Sequence, residues 1–418
     1  MSDPNVKRKD LPGGLRVFSE TLNESTSVSL GVWIRAGSRD ERSEVAGISH
    51  LMEHMLFKGT PSMDALGIAQ AFEGIGAQEN AATGEEYTVL YARFLPEHLE
   101  KALDIMSDMV LRPTLVDLER EREVIVEEIK MYEDRPDQMA DEHLSSLIFH
   151  DDTLGRPIIG SAETVRGVDH DILKNFHADT YTGANVFVIG AGKLDTEKFE
   201  NMVEEKLSSL PEGEPFVRQA DPKQPESRFF YKFKETEQYH VSMGSLGIPA
   251  SSEDRFAMAA LNNVLGGGMS SRLFQEVREK RGLAYAVYSY HQGYSDAGAI
   301  KTYVGSTTGN VEEATKVIVE QLGMIQSEPI DDEELYRTKQ QLKSSTLLAM
   351  ESTSARMTRI GRSVITGSEL LTPEEISERI EAVTPEDITR LAKTHLNANQ
   401  MYLSAVGPKE LDLGRYLN

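Results

Sequence analysis

The two halves of the chain repeat one another. The run VSLG at Val28–Gly31 returns as VSMG at Val241–Gly244, an offset of 241 − 28 = 213 residues. Later in each half a helical pattern, a turn and an apolar run follow one another, with Asn185 and Asn399 at an offset of 399 − 185 = 214. Both offsets are close to half of the 418 residues, which indicates a duplicated domain rather than a solenoid. The alternative is a chance match, since short strand patterns are common.

Strand and helix patterns mix within each half and do not alternate as regular βαβ units. Strands are predicted at 28–35, 86–94, 186–190, 229–233, 240–246, 299–304 and 401–406, and helices at 63–74, 97–109, 117–133, 311–326 and 332–350. This mixture favours an α+β architecture over a doubly wound one. Residues 210–228 are polar, contain several prolines and lack periodicity, so we interpret them as a linker. The predicted domains are residues 1–209 and 229–418.

Composition excludes several classes of function. The chain has 68 acidic and 44 basic residues, and this net charge of −24 disfavours binding to nucleic acid through phosphates. It contains no cysteine, which excludes disulfides, thiolate nucleophiles and cysteine-ligated zinc. The N-terminal segment lacks the apolar core of a secretory signal, and no apolar run reaches the roughly 18 residues of a membrane span. We therefore expect a cytoplasmic protein that binds neither nucleic acid nor membrane.

The segment HLMEH at residues 50–54 places two histidines and a glutamate on one predicted helix. At about 100° per residue, His50 and His54 project from the same face and Glu53 lies close to them. Two imidazoles at this spacing can ligate one Zn²⁺, and the carboxylate can take a proton from water that the metal activates. The spacing HxxEH reverses the HExxH zinc motif. Without a third ligand, however, the pair can equally be ordinary surface or core histidines.

The acidic helix predicted at 117–133 offers that third ligand. On a helical wheel, Glu128 and Glu121 border the apolar stripe and face the interior, where an unpaired charge is costly unless it meets a cation or a metal. We predict that Glu128 is the third metal ligand and that Glu121 is a supporting acid that orients one of the ligands. The alternative for each carboxylate is an ion pair with a nearby arginine such as Arg93 or Arg122.

Together these residues resemble the pitrilysin-type zinc peptidases, and most closely the branch that includes the mitochondrial processing peptidase. The spacing of 128 − 54 = 74 residues between the motif and the third ligand is typical of that family, as is the pattern ERxVIxxE at residues 121–128. The resemblance covers nearly the whole chain. It implies two homologous halves, each a mostly antiparallel or mixed β-sheet flanked by helices, with one Zn²⁺ per chain held by His50, His54 and Glu128.

Two further segments carry the resemblance. NAATGEEYTVLY, from residue 80, is similar to the family's edge strand, where a peptide adds as a further strand; this implies substrate contacts at Asn80 and Ala81. Arg278 and Tyr285 match the family's arginine and tyrosine that reach the substrate near the scissile bond. A cation and a phenol are suitable donors to the oxyanion that develops there. The alternative is a solvated Arg278 and a Tyr285 packed in the core.

The motif helix has a degenerate copy in the second half. Aligning HLMEHML with AALNNVL pairs three residues that would not hold zinc with the motif, namely Ala259 with His50, Asn262 with Glu53 and Asn263 with His54. The first domain would therefore hold the metal, and the second would contact the substrate.

The resemblance implies a zinc metalloendopeptidase that hydrolyses peptides or unfolded, basic protein segments, with Glu53 acting on metal-activated water. It also implies a homodimer, because a chain of this size needs a partner to close a chamber, and Arg278 and Tyr285 would act on the zinc of their own chain or of the partner. Two alternatives stay open. One is a catalytically silent core or assembly subunit of the same fold, and the other is a different zinc hydrolase, such as an amidase.

Overall fold

The computed structural model describes residues 3–417, which form two β-sheets with helices packed on them. The first sheet contains β1 (Val6–Asp10), β2 (Arg16–Thr21), β3 (Val28–Ile34), β4 (Gln78–Thr83), β5 (Thr88–Phe94) and β6 (Val186–Gly192). The second contains β7 (Phe229–Phe233), β8 (Gln238–Leu246), β9 (Ala284–Gly293), β10 (Gly298–Thr307) and β11 (Tyr402–Gly407). The helices of the first half are α1 (Ile48–Leu56), α2 (Ala65–Glu73), α3 (Leu99–Leu111), α4 (Leu118–Glu133), α5 (Pro136–Ile148), α6 (Ala162–Gly167), α7 (His170–Thr180) and α8 (Thr196–Leu207). Those of the second half are α9 (Arg255–Gly266), α10 (Val311–Ser327), α11 (Asp332–Ala349), α12 (Thr353–Thr366), α13 (Pro373–Glu381) and α14 (Pro385–His395).

The two sheets share one strand order, and the first has one additional strand. The first sheet runs β1-β2-β6-β3-β5-β4 and the second runs β7-β11-β8-β10-β9. In each sheet one pair is parallel, β2 with β6 and β7 with β11, and the strands that continue toward β4 and β9 pair antiparallel. This confirms the predicted α+β fold with two mixed sheets flanked by helices. The limits of the two domains remain predictions.

The central strands β3 and β6 are buried along their whole length. Their sequences are therefore continuous apolar runs, since both faces of the sheet are covered. On one face, Trp33 of β3 stacks on Phe187 of β6 with ring centroids 5.9 Å apart. The indole Nε1 of Trp33 lies 3.3 Å from Sδ of Met357 on α12. A helix of the second half thus covers one face of the first sheet.

The second sheet is covered in the same way by a helix of the first half, since α5 packs on β8 and β11. Beside this contact, Lys301 of β10 has a side chain that is only 1% exposed. Its Nζ lies 3.1 Å from Oδ2 of Asp141 and donates to Oγ of Ser145 at 2.7 Å. A buried ammonium group requires such partners. The position of α5, which borders the candidate site, is therefore tied to the second sheet.

The segment interpreted as a linker is anchored rather than free. It contains neither helix nor strand, but the side chain of Arg218 is only 3% exposed and lies 2.6 Å from Oδ2 of Asp40. Arg218 also donates to the carbonyl of Glu86 at 2.6 Å, and the adjacent Arg39 pairs with Glu86 and Asp296 at 2.7 Å each. A polar segment without periodicity is interpreted as a linker, whereas guanidinium groups that pair with carboxylates can be buried.

Candidate metal centre

Helix α1 is fixed on its apolar side and at its first turn. Leu51 and Met55 are buried in the core of the first half, which leaves the opposite face of the helix for polar side chains. The carboxylate of Glu41 accepts hydrogen bonds from the backbone N–H groups of Gly47 at 2.7 Å and Ser49 at 2.8 Å. A carboxylate suits the positive end of a helix dipole. The helix that carries the motif therefore has a defined position before any metal binds.

Two glycines allow the loop that precedes α6 to pack against the start of α1. Gly47 has a φ of +93°, and a Cβ there would lie 2.5 Å from the carbonyl oxygen of Ile159. Gly160 has a φ of +74°, and its Cβ would lie 2.2 Å from the carbonyl oxygen of Ala46. Glycine tolerates both the positive φ and the close approach. The loop 154–159 thereby forms a wall of the cavity beside the histidines.

The three predicted ligands converge. Nε2 of His54 lies 3.6 Å from Oε2 of Glu128, and Nε2 of His50 lies 3.9 Å from the same oxygen. One donor atom from each residue lies within 4.8 Å of the other two. Zinc bonds of about 2.0–2.1 Å in a tetrahedron place neighbouring donor atoms roughly 3.3 Å apart. The trio therefore fits one Zn²⁺ after small side-chain movements, and neither Arg93 nor Arg122 pairs with Glu128 within the described residues.

Burial favours the neutral imidazole that metal binding requires. It lowers the pKa of His50 to about 4, with a smaller contribution from the neighbouring His54. A protonated ring has no free nitrogen lone pair to offer a metal. His50 is therefore ready to bind a cation over the whole neutral pH range.

Glu121 contacts the ring nitrogen of His54 that does not face Glu128. Its Oε1 lies 2.9 Å from Nδ1 of His54, and its Oε2 lies 2.7 Å from Nζ of Lys58. Burial opposes ionisation of Glu121, but the hydrogen bonds from His54 and Lys58 outweigh it and lower the pKa of this carboxyl. A carboxylate at Nδ1 fixes the tautomer that leaves Nε2 free for a metal. Glu121 thus contacts the ring that it is predicted to orient, and the orienting role itself stays a prediction.

Glu53 lies beside the trio and faces the edge strand. Its Oε2 accepts a hydrogen bond of 2.5 Å from Oγ1 of Thr83 on β4. Burial raises the pKa of Glu53, and the nearby charge of Glu128 adds to this, while the bond from Thr83 opposes it. A raised pKa makes a carboxylate a better proton acceptor near neutral pH.

The site opens into a cavity of about 470 Å³ bordered by β4. Ala81, Ala82 and Thr83 line this metal-site cavity, whereas Asn80 is exposed and does not line it. Strand β4 lies at the edge of the sheet, and among residues 3–417 its one partner strand is β5. The free edge of such a strand can accept an extended peptide.

Arg278 and Tyr285 are not among the residues that line the metal-site cavity. They contact one another, with Nη1 of Arg278 donating to the carbonyl of Tyr285 at 3.0 Å and the guanidinium 4.4 Å from the Tyr285 ring centroid. Tyr285 is 77% exposed, so it is not a core residue. The chain thus presents this pair on its surface, away from the lining of its own candidate site.

Sequence reasoning missed three residues that position the site, namely Glu41, Lys58 and Thr83. Glu41 precedes the motif helix by only a few residues, and an acidic residue at that place is a weak signal for a helix start. Lys58 and Thr83 carry no such signal, because each is defined by a contact with a residue far away in sequence.

The fold and this donor set define a candidate metal site of the hydrolytic type. Residues 16–162 match the family model described as "Insulinase (Peptidase family M16)", and residues 167–342 match "Peptidase M16 inactive domain". An uncharacterized zinc protease of Streptomyces coelicolor is 39% identical over 412 residues, which span 96% of this chain and 90% of that protein. The chain belongs to peptidase family M16.

Two further comparisons agree with this assignment. The beta subunit of the mitochondrial-processing peptidase of Saccharomyces cerevisiae is 30% identical over 422 residues, covering 97% of this chain and 91% of that subunit. The crystal structure of a peptidase M16 inactive domain from Pseudomonas fluorescens has a TM-score of 0.91 at 24% identity, covers 97% of this chain and is itself covered to 98%. At that identity the likeness concerns the fold alone. The resemblance to pitrilysin-type peptidases is confirmed.

Across residues 3–417, none of the helices is both long enough and apolar enough to pass through a membrane.

Proposed function

We propose that this chain is a zinc metalloendopeptidase that hydrolyses peptides or unfolded protein segments. The observation that carries the proposal is the convergence of His50, His54 and Glu128 beside Glu53. Two imidazoles and a carboxylate would suit one Zn²⁺ per chain and would leave access for water or substrate. Zinc, when bound, supplies a Lewis acid that polarises the scissile carbonyl and acidifies water.

The residues of the chain perform the remaining steps. Glu53 takes the proton from the attacking water and returns it to the leaving amine. The hydrogen bond from Thr83 holds Oε2 of Glu53, which leaves Oε1 to face the reactants. Glu121 keeps the ring of His54 in its ligating orientation. The peptide adds to β4 beside Asn80 and Ala81, and recognition through main-chain hydrogen bonds gives little dependence on sequence.

A preference for basic segments is supported by the charge of the metal-site cavity. Its lining includes the carboxylates of Glu85, Asp141 and Glu142 in addition to those at the metal site. The side chain of Glu85 accepts a hydrogen bond from Gln292, and that of Asp141 accepts one from Lys301. The side chain of Glu142 makes no hydrogen bond or ion pair within residues 3–417. Burial raises the pKa of Glu142, with Asp141 adding to the effect, so a cationic side chain beside it would relieve an unfavourable charge.

A homodimer is the second part of the proposal. Tyr285 is exposed, Arg278 is half-buried, and both lie outside the lining of the metal-site cavity, which is consistent with their reaching the substrate at the partner's metal centre. There they would donate to the oxyanion that develops on the scissile carbonyl.

Metal analysis and peptide hydrolysis test the function. We expect one zinc per purified chain and internal cleavage of a quenched fluorogenic basic peptide, with cleavage sites mapped by mass spectrometry. A chelator should abolish this cleavage and added zinc should restore it. The alternative, a catalytically silent core or assembly subunit, is relevant because one matched family model is described as an inactive domain. Protein without zinc and without cleavage would support that alternative, and cleavage restricted to non-peptide amides would support an amidase.

Mixing two inactive variants tests the dimer. Chains with Glu53→Gln and chains with Tyr285→Phe each lack one catalytic group. If Tyr285 acts on the partner's metal, a mixed dimer contains one complete site, and activity should reappear on mixing. If the mixture stays inactive although mixed dimers form, Tyr285 does not act across the interface.

A further inference from the structure

A second pocket adjoins the metal-site cavity where the two halves of the chain meet. This junction pocket, of about 450 Å³, lies between the end of α4, helix α5, the loop 157–162 and residues 232–234 at the end of β7. Tyr132, Glu142, Pro157 and Ile159 line both spaces, so the two are separated by no more than these side chains. The junction pocket therefore lies directly beside the metal-site cavity, along the side chains of Tyr132 and Glu142.

The junction pocket has an apolar wall. Ile129 and Met139 contribute to its lining from the first half, and Phe233 contributes from the second. The side chain of Phe233 is 59% exposed although it is large and apolar. An exposed aromatic residue at the rim of a cleft is typical of a binding surface. The pocket is therefore suited to an apolar side chain.

The charge along the cleft changes from mainly acidic to mixed. Carboxylates predominate in the lining of the metal-site cavity, whereas the junction pocket has Lys232 and Lys234 beside Glu133 and Glu142. Lys234 is engaged by the carbonyl of Glu133 at 2.7 Å. The backbone of Lys232 belongs to the β7–β11 ladder, but its side chain forms no hydrogen bond or ion pair within residues 3–417. The pKa of His143, another residue of this pocket, is lowered mainly by burial and, to a smaller extent, by the positive charge of Lys232. Lys232 therefore offers the pocket a cation without a partner.

We propose that the junction pocket is a distal substrate subsite, which takes an apolar side chain and pairs Lys232 with a carboxylate of the same peptide. This inference rests on the proposed peptidase function and narrows its substrate class. The preferred substrate is basic where it passes the metal centre and carries an apolar residue followed by an acidic one further along. The carboxylate is either an acidic side chain or the terminus of the peptide, because both present the same group to Lys232.

Paired peptides test the subsite. A basic fluorogenic peptide is extended through a glycine spacer by Leu-Glu, Leu-Lys or Gly-Glu, at either end and with an amidated C-terminus. A further peptide ends in leucine with a free carboxylate. We expect kcat/KM for the Leu-Glu peptide to exceed that for the Leu-Lys peptide by about fivefold, the upper range for an exposed ion pair. If only the free-acid peptide is favoured, the group recognised is the terminal carboxylate.

Charge reversal supplies the matched control. The Lys232→Glu variant should invert the preference between Leu-Glu and Leu-Lys, and Phe233→Ser should reduce the preference for leucine over glycine. Lys198→Glu makes the same change of charge on α8, outside both pockets, and should leave the preferences as in the wild type. An unchanged ratio of Leu-Glu to Leu-Lys in Lys232→Glu would overturn the proposal.

A binding assay separates this inference from the proposed function. Fluorescence anisotropy with Glu53→Gln protein measures the affinity for the same peptides without turnover. Binding with the expected preferences but no cleavage by the wild type would refute the peptidase and keep the subsite. Cleavage of all the peptides at equal rates would keep the peptidase and refute the subsite.

Discussion

Helices α1 and α9 occupy comparable places in the two halves, but of these two helices only α1 carries histidines, the candidate metal ligands. Helix α1 packs beside the edge strand β4, and α9 packs beside the edge strand β9. Where α1 has His50 and His54, the alignment of the halves places Ala259 and Asn263 in α9. Both helices bury an apolar face in the core of their own half. The scaffold is thus duplicated, whereas among residues 3–417 the candidate donor set is found in the first half alone.

The edge strands retain a similar contact in both halves. Thr83 of β4 donates to Glu53, and Ser289 of β9 donates to Oδ1 of Asn262 at 2.8 Å. In the alignment, Asn262 is the counterpart of Glu53. In both halves, therefore, a hydroxyl group on the edge strand donates to the helix residue at this position, which is Glu53 in α1 and Asn262 in α9. The comparison indicates that the chemistry depends on a few side chains rather than on the fold.

The largest effect should come from removing a ligand in only one half. His54→Ala takes one of three donors from the metal, so zinc content should fall to near zero and hydrolysis to background. Asn263→Ala makes the corresponding change in α9 and should leave both unchanged. Metal analysis of the two variants side by side measures the difference. Equal zinc content in both would mean that His54 is not a ligand.

A smaller effect should follow from the carboxylate behind His54. Glu121→Gln removes the charge that fixes the ring, and we expect zinc affinity to weaken by about 10- to 100-fold. Glu123→Gln is the control on the same helix, because Glu123 pairs with the exposed Arg166 instead. Titration with a competing chelator measures both affinities. Wild-type affinity in Glu121→Gln would rule out an orienting role.

The hydroxyl of Thr83 offers the next comparison. Thr83→Val keeps the shape of the side chain and removes its bond to Glu53. Hydrogen bonds to charged groups contribute about 1.5–3 kcal/mol, so kcat should fall by about tenfold or more with little change in KM. Thr83→Ser should retain most of the activity, and Ser289→Ala in the second half should leave kcat near that of the wild type. Equal kcat for Thr83→Val and wild type would show that Thr83 does not position Glu53.

The smallest effect concerns stability in acid. The folded-state pKa of His50 is about 4 and its ordinary value is 6.5, so the unfolded chain binds more protons between these values. The free energy of unfolding of the metal-free protein should therefore fall as the pH drops through this window, with a contribution from His50 of at most about 3 kcal/mol. His50→Gln should remove that part of the slope in denaturant titrations.

His291 provides the counterpart in the second half, since burial also lowers its pKa to about 4. Added zinc should enlarge the pH dependence that comes from His50, because protons and metal compete for the same ring. It should leave the dependence that comes from His291 unchanged. An equal response to zinc at both histidines would contradict a metal site confined to the first half.

Sequence patterns predicted the repeated α+β fold and the strands and helices that they assigned, with ends that differ by a few residues. Buried strands and amphipathic helices are local patterns of apolar residues, and the chain displays them clearly. The grouping of His50, His54 and Glu128 could also be predicted, because the helical wheel turns Glu128 toward the interior and leaves Glu127 in solvent, where its side chain is 70% exposed. Their role as metal ligands stays a prediction.

Contacts between segments that are distant in sequence could not be predicted from the sequence. The bond from Thr83 to Glu53, the pairing of Lys58 with Glu121 and the exchange of α5 and α12 between the halves depend on tertiary packing. Local periodicity does not encode such pairings. Arg218 shows the same limit, since the polar segment that contains it was interpreted as a linker, and its buried partner Asp40 is distant in sequence.

The most direct test of the account compares Glu53→Gln with the wild type for both zinc content and hydrolysis of a basic peptide. Glutamine keeps the shape of the side chain but cannot accept the proton of the attacking water. We predict one zinc per chain in both proteins and a rate of hydrolysis lower by at least about a hundredfold in the variant. A zinc-loaded Glu53→Gln protein that cleaves as fast as the wild type would contradict the account.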